Sequence, residues 1–240
     1  MVATLKLPIV AINFKAYPTA YGQRGLDIAR WADSVYREYG GNVKVIVAPP
    51  ATELKAIVES VEIDVFAQHV DPVNLGARTG YIPLEIVKEC GVRGSIINHS
   101  EHRLRISEVA FLIKKAQALG LTSLVCADTP EVGAALSTLK PDMVAVEPPE
   151  LIGTGIAVSK ARPEVVTNSV KMIRLVNRDV VILTGAGISS GKDVEAAIKL
   201  GTSGVLVASA VMKAKDPKSV LKDMVEHAYR AWEEAVGEAL

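Results

Sequence analysis

Short apolar runs rich in β-branched residues recur along the chain, and each is followed by a longer segment with apolar positions on one helical face. The pattern predicts a first strand over Ile9–Phe14 and a helix over Gly25–Tyr39, with Leu26, Ala29, Trp31, Ala32, Val35 and Tyr36 turned inward. Val43–Ala48 is the second predicted strand, stopped by Pro49-Pro50, and Thr52 is placed to cap a helix over Glu53–Glu59. Asp64–Gln68 is the third. A long polar loop, Val70–Tyr81, leads to Pro83, which opens a helix to Cys90 with Gly91 just past its end. Ser95–Ile97 reads as the fourth strand, and Ser107–Leu119 as a helix ended by Gly120. The second half repeats the rhythm. Predicted strands Thr122–Cys126, Met143–Val146, Val180–Leu183 and Gly204–Val207 alternate with predicted helices Pro130–Leu139, Pro163–Val176, Lys192–Leu200 and Pro217–Val236.

Eight βα units thus fill 240 residues, with no linker or low-complexity segment between them. The strands are continuous apolar runs, as expected where both faces are buried. Strict alternation of strand and helix calls for a parallel sheet. Eight units fit a closed (β/α)8 barrel, one domain over residues 1–240, better than an open sheet with a topological switch and uncovered edges.

Composition narrows the function classes. Lys+Arg and Asp+Glu are both 27, so no basic surplus points to nucleic acid. No apolar run reaches membrane-spanning length, and the N-terminus lacks the pattern of a secretory signal. Two cysteines, Cys90 and Cys126, far apart and without metal spacing, suit a reducing cytoplasm.

In a parallel barrel the strand ends meet on one face, so candidate chemistry is sought there. After strand one, Asn13 and Lys15 lie two apart and are expected to face the mouth, with Phe14 turned into the packing. Lys15 offers a cation to an anionic substrate, and Asn13 is suited to hold the lysine side chain. After strand four comes Asn98-His99-Ser100-Glu101-His102-Arg103. His99 and His102 are three apart, but no third ligand has suitable spacing, so an acid–base His99 is preferred to a metal site. A helical turn starting at Ser100 would keep His99 neutral. Glu101 is expected beside Lys15.

Strand six runs straight into Glu147, followed by Pro148-Pro149-Glu150-Leu151-Ile152-Gly153-Thr154-Gly155. A stiff start, an apolar middle and a glycine-rich end describe a flap with an acid at its base. Glu150, inside that loop, reads as a solvated lid residue. After strand seven, Thr184-Gly185-Ala186-Gly187-Ile188-Ser189-Ser190-Gly191 departs from the dinucleotide fingerprint, and only one strand remains after it. Glycine-rich backbone near a helix start suits an anion instead, and Ala208-Ser209 after strand eight adds a second small-residue turn. Those two turns predict a phosphorylated substrate.

Taken together, Asn-x-Lys, His-Ser-Glu, and Glu-Pro with Ile-Gly-Thr-Gly, in this order and spacing, resemble the triosephosphate isomerase family along the whole length. The resemblance implies the TIM barrel fold, no metal or organic cofactor, and a small phosphorylated triose as substrate. It implies Lys15, His99 and Glu147 as the catalytic cation, neutral electrophile and base. Asn13 joins Lys15 in substrate binding, and Glu101 and Ser100 stand behind them. Backbone groups at Ile152, Gly153, Gly187, Ala208 and Ser209 are the implied phosphate binders. The turn Thr-Gly-Ala-Gly and the pair Ala208-Ser209 depart from the Tyr-Gly-Gly-Ser and Gly-Gly of familiar members and are similar to archaeal ones. That similarity implies a homotetramer built as a dimer of dimers, with Val70–Tyr81 as a subunit-contact loop. Two other readings stand beside it: a different phosphate-binding barrel enzyme, and a barrel that binds phosphates without turnover.

Overall fold

A computed structural model of the chain describes residues 7–148 and 162–238. Eight parallel strands pair in sequence order and close into a barrel: β1 Ile9–Asn13, β2 Lys44–Ala48, β3 Asp64–Ala67, β4 Gly94–Ile97, β5 Thr122–Ala127, β6 Met143–Val146, β7 Val181–Thr184 and β8 Gly204–Val207. Closure sets Ile9 opposite Gly204 and Ile12 opposite Val207. Gly204 has φ +149, and a Cβ there would meet the Ile9 backbone, so the seam depends on glycine.

Alternation sorts the strand side chains into two cores. Ile9 and Ala11, Ile46 and Ala48, Phe66, Ile96, Leu124 and Cys126, Met143 and Ala145, Leu183 and Leu206 form an inner cluster. Val10, Ile12, Val45, Val47, Val65, Ile97, Val125, Val144, Ile182 and Val205 pack outward against the helices. This is why the strands read as unbroken apolar runs.

The helices are α1 Gly22–Glu38, α2 Leu54–Val58, α3 Leu84–Glu89, α4 Ile106–Leu119, α5 Pro130–Ser137, α6 Pro163–Val176, α7 Gly191–Lys199, α8 Ser209–Met212 and α9 Pro217–Glu238 among the described residues. Their limits follow local chemistry. Gly120, at φ +69, ends α4 while Leu121 N–H returns to Ala116 O at 2.9 Å. The Thr129 hydroxyl accepts from Val132 N–H, and Pro130 takes the first helical position of α5.

Two expectations change. Thr52 does not cap a helix over Glu53–Glu59. It lies inside a 3₁₀ turn, Ala51–Glu53, and its hydroxyl bonds to the Glu53 carboxylate. Pro50 starts that tight turn by accepting from Glu53 N–H at 2.9 Å, which delays α2 to Leu54. The short α8 straight after β8 was not expected, since a four-residue helix carries no periodic pattern. No helix among the described residues is long and apolar enough to cross a membrane.

Candidate active site

Asn13 and Glu147 continue the barrel-facing alternation of their strands, after Ile9 and Ala11 and after Met143 and Ala145. Both therefore point into the mouth. There they line a cavity of about 200 Å³ with Lys15, Tyr17, His99, Glu101, Ala186, Gly187, Ile188, Leu206, Val207, Ala208 and Ser209. The sequence-derived residues Asn13, Lys15, His99, Glu101, Glu147, Gly187, Ala208 and Ser209 thus share one wall-to-wall space. Ser100 lies in the turn that follows His99 and does not line the cavity. Ile152, Gly153 and the flap stretch that carries them, with Glu150, fall outside the described residues.

Lys15 reaches the mouth by a strained backbone. Its φ is +49, a region that costs an L-residue roughly 1–2 kcal/mol. Neighbours hold it there. Lys15 N–H donates to Asn13 Oδ1 at 2.9 Å, and Gln68 Nε2 donates to Lys15 O at 3.0 Å and Ala48 O at 2.9 Å. Asn13 was expected to hold the lysine side chain and instead holds its main chain, because the left-handed turn folds the amide back over the short Asn side chain. The ammonium is held by Glu101, with Nζ to Oε1 at 2.8 Å.

His99 arrives by a different route. Ser95 and Ile97 face away from the inner cluster, and an extended chain would send His99 the same way. Asn98 breaks the alternation at φ +63. Its side chain fixes the break: Nδ2 donates to Cys126 O at 3.1 Å, and Oδ1 accepts from Leu104 N–H at 2.9 Å. The chain then turns, with His102 N–H on His99 O at 2.8 Å. Glu101 N–H donates to His99 Nδ1 at 3.1 Å. An imidazole nitrogen that accepts carries no proton, so this contact assigns the proton to Nε2 of a neutral ring. The His102 ring has a partner of its own. It stacks on His69 with centroids 3.6 Å apart and ring planes 9° from parallel.

Glu147 is 5% exposed. Burial raises its pKa, opposed by His99, by the Cys126 thiol and by Lys15. Burial and the Glu147 charge also push the Cys126 thiol well up, so it remains a donor to the carboxylate. Oε2 lies 3.5 Å from His99 Nε2 and has no hydrogen-bond partner among the described residues. A buried carboxylate with one open oxygen, facing a cavity that also holds a neutral imidazole N–H and an ammonium, is equipped for proton transfer beside a carbonyl.

On the far side, the turn after β7 carries two successive left-handed residues, Ala186 at φ +69 and Gly187 at φ +73. The N–H groups of Ala186, Gly187 and Ile188 meet no acceptor among the described residues. The glycine-rich turn around Gly187, near the start of α7, was the expected anion grip, and the helix start beside it is occupied: Asp193 accepts from Ser189 and Ser190, and Asp223 accepts from Gly191 N–H at 2.6 Å. Among the described residues, the turn itself keeps these donors open.

Sequence reasoning missed Gln68, Asn98, Cys126 and Tyr17. Asn98 carried a readable signal, since Asn is among the few non-glycine residues at ease with positive φ. Gln68 and Cys126 act across strands, which no local pattern reveals.

The family model for triosephosphate isomerase matches residues 8–228. The triosephosphate isomerase of Metallosphaera sedula is 50% identical over 230 residues, 96% of this chain and all of that protein. That of Methanothermus fervidus is 49% identical over 218 residues, 91% of this chain and 97% of that one. That of Sulfolobus acidocaldarius is 47% identical over 229 residues, 95% and 98% respectively.

Proposed function

The chain belongs to the triosephosphate isomerase family and interconverts D-glyceraldehyde 3-phosphate and dihydroxyacetone phosphate, a step of glycolysis; we propose that Glu147 is the base, with His99 and Lys15 stabilising charge on the substrate oxygens. The observation that carries this assignment is the open Glu147 Oε2, buried 3.5 Å from His99 Nε2 at the wall of the cavity.

Glu147 removes a proton from the carbon beside the carbonyl, giving an enediolate. Burial supports the role, because a carboxylate short of water is a stronger base than the free side chain. The His99 Nε2–H and the Lys15 ammonium offset the charge that appears on oxygen. A proton passes from one oxygen of the enediolate to the other, and the carbon-bound proton then returns to the neighbouring carbon, so that hydroxyl and carbonyl exchange places. Asn13 holds Lys15 in its strained turn. Glu101 works at both sites, since its side chain pairs with Lys15 and its N–H sets the His99 tautomer.

The phosphate is proposed to bind the N–H groups around Gly187 and at Ala208 and Ser209, with Ile152 and Gly153 as further contacts on the family resemblance. The reaction calls on no cofactor.

We take residues 1–240 as one barrel domain working in the cytoplasm as a homotetramer. Support for association lies in the loop after β3. Asp71 closes its neck by accepting from Ile82 N–H at 2.6 Å, and Lys115 of α4 props it by donating to Val73 O at 2.7 Å. The braced loop carries exposed Leu75 and Tyr81, with exposed Ile86 and Ile106 on the nearby helices. Sedimentation of the purified chain checks this; a monomer at micromolar concentration would overturn it.

The assignment of residues is tested by following solvent deuterium into the carbon-bound position of dihydroxyacetone phosphate. The parent enzyme exchanges that hydrogen, and Glu147→Gln abolishes the exchange. Exchange that persists in Glu147→Gln would remove Glu147 from the role.

A further inference from the structure

We propose that Asp193, in the first turn of α7, is a positioning residue that holds the phosphate-binding turn in its strained, donor-presenting shape. The inference rests on the assignment of residues 186–188 as a phosphate grip.

Asp193 is 1% exposed, so its carboxylate is fixed by packing and not by solvent. One of its oxygens, Oδ2, accepts from four donors: Ser189 N–H at 3.0 Å, Ser189 Oγ at 2.9 Å, Ser190 N–H at 3.0 Å and Ser190 Oγ at 3.0 Å. A helix cap needs one or two such bonds. The surplus ties down the two residues that end the turn.

The turn needs that restraint. Ala186 lies at φ +69, a conformation its methyl group disfavours, and Gly187 follows at φ +73. The N–H groups of Ala186, Gly187 and Ile188 have no acceptor among the described residues, so nothing in those residues rewards the shape that presents them. Such a turn relaxes by rotating a peptide unless both ends are pinned. Its first end is pinned by Gly185 N–H on Val146 O at 3.1 Å, and its middle by the buried Ile188. Asp193 pins the last end.

Asp193 is itself anchored. It sits on a helix whose first N–H is held by Asp223 and whose inner face buries Val194 and Ala197. The clamp therefore refers the turn to the rigid shell of the barrel. It also spends the N–H groups at the helix start on a protein carboxylate, leaving an incoming dianion to the turn.

The experiment uses the full-length enzyme with Asp193→Ala and Asp193→Asn. Four quantities are read: kcat and KM for glyceraldehyde 3-phosphate, inhibition by inorganic phosphate, and turnover of D-glyceraldehyde, which lacks the phosphate. Asp193→Ala is expected to raise KM and the phosphate inhibition constant by about tenfold, within the roughly 10²-fold that a 1 Å misplacement can cost. Turnover of D-glyceraldehyde stays at the parent level, because that substrate does not use the turn. Asp193→Asn keeps one acceptor and shifts the same quantities less; it carries the test if Asp193→Ala does not fold. An unchanged phosphate inhibition constant, or an equal loss on both substrates, overturns the inference and leaves a structural role only. Ala208→Asp, which sets a carboxylate in the cavity wall, separates the underlying assumption. If phosphate inhibition is indifferent to Ala208→Asp, the phosphate grip itself is misassigned.

Discussion

Nε2 of His99 lies 3.5 Å from Oε2 of Glu147, although the two residues leave strands β4 and β6 by different means. Glu147 simply extends the alternation of its strand. His99 is brought round by a left-handed Asn98 whose side chain is tied to the Cys126 carbonyl. The same Cys126 donates its thiol to Glu147. Strand β5 thus sets the spacing between the proposed base and the proposed electrophile.

Replacing Glu147 by Gln keeps the shape of the side chain and removes its basicity. Turnover should fall by about 10²–10⁴-fold, the usual worth of a positioned base. The Gly187 turn and Lys15 are untouched, so inhibition by inorganic phosphate should persist within a factor of about two to three, a shift well under 1 kcal/mol. Steady-state kinetics with phosphate as inhibitor read both numbers, and near-parental turnover would sink the assignment.

Glu147 also sets a pH signature. Burial raises its pKa above the ordinary 4.5, so the native protein keeps this proton to higher pH than the unfolded chain does. Its contribution to stability is full below the ordinary value and is lost as pH rises through the raised one. Activity runs the opposite way, because the base must be ionised, so kcat/KM should climb over that same interval. Glu147→Gln removes the ionisation. Above the interval the variant should unfold at a higher temperature than the parent, by about 2–4 °C for each kcal/mol relieved in a chain of this size, and the difference should shrink toward pH 4. Melting curves at pH 4 and pH 8 check it; a variant less stable than the parent at pH 8 contradicts it.

Much of this arrangement was legible in the chain. Period and punctuation located all eight strands, because each is buried on both faces and reads as an apolar run. Asn13, Lys15, His99 and Glu147 could be picked out because a parallel barrel gathers strand ends. Hidden features were those that depend on single backbone angles. The positive φ at Lys15 reassigned Asn13 from the lysine side chain to its main chain, and nothing in Asn-Phe-Lys announces that angle. Gln68 was equally silent, since its partners are Lys15 O in the turn after β1 and Ala48 O at the end of β2.

Lys15 and Glu101 form a pair of unequal exposure, 13% and 56% of the side chain. The lysine is the sheltered partner, so its removal is expected to cost far more than loss of the glutamate. Lys15→Met should lower kcat/KM by about 10²–10³-fold, comparable to losing one donor to a developing oxyanion. Glu101→Gln should cost about tenfold or less, because its N–H to His99 is a main-chain group and survives the change. Equal losses in the two variants would mean that the lysine acts only through the pair.

Gly185 faces Glu147 so closely that an added Cβ would fall within 2.8 Å of the carboxyl carbon, inside contact distance of the whole group. Its φ is not among the positive ones, so alanine suits the backbone, and the clash falls on the glutamate alone. Gly185→Ala should therefore push Glu147 off its station without unfolding the chain, and turnover should drop by about 10²-fold, the cost of a misplacement near 1 Å. The decisive comparison is the double variant. If Gly185→Ala acts through Glu147, adding it to Glu147→Gln lowers turnover little further, because the displaced group no longer contributes. Fully additive losses would mean that Gly185 serves the phosphate turn and not the base.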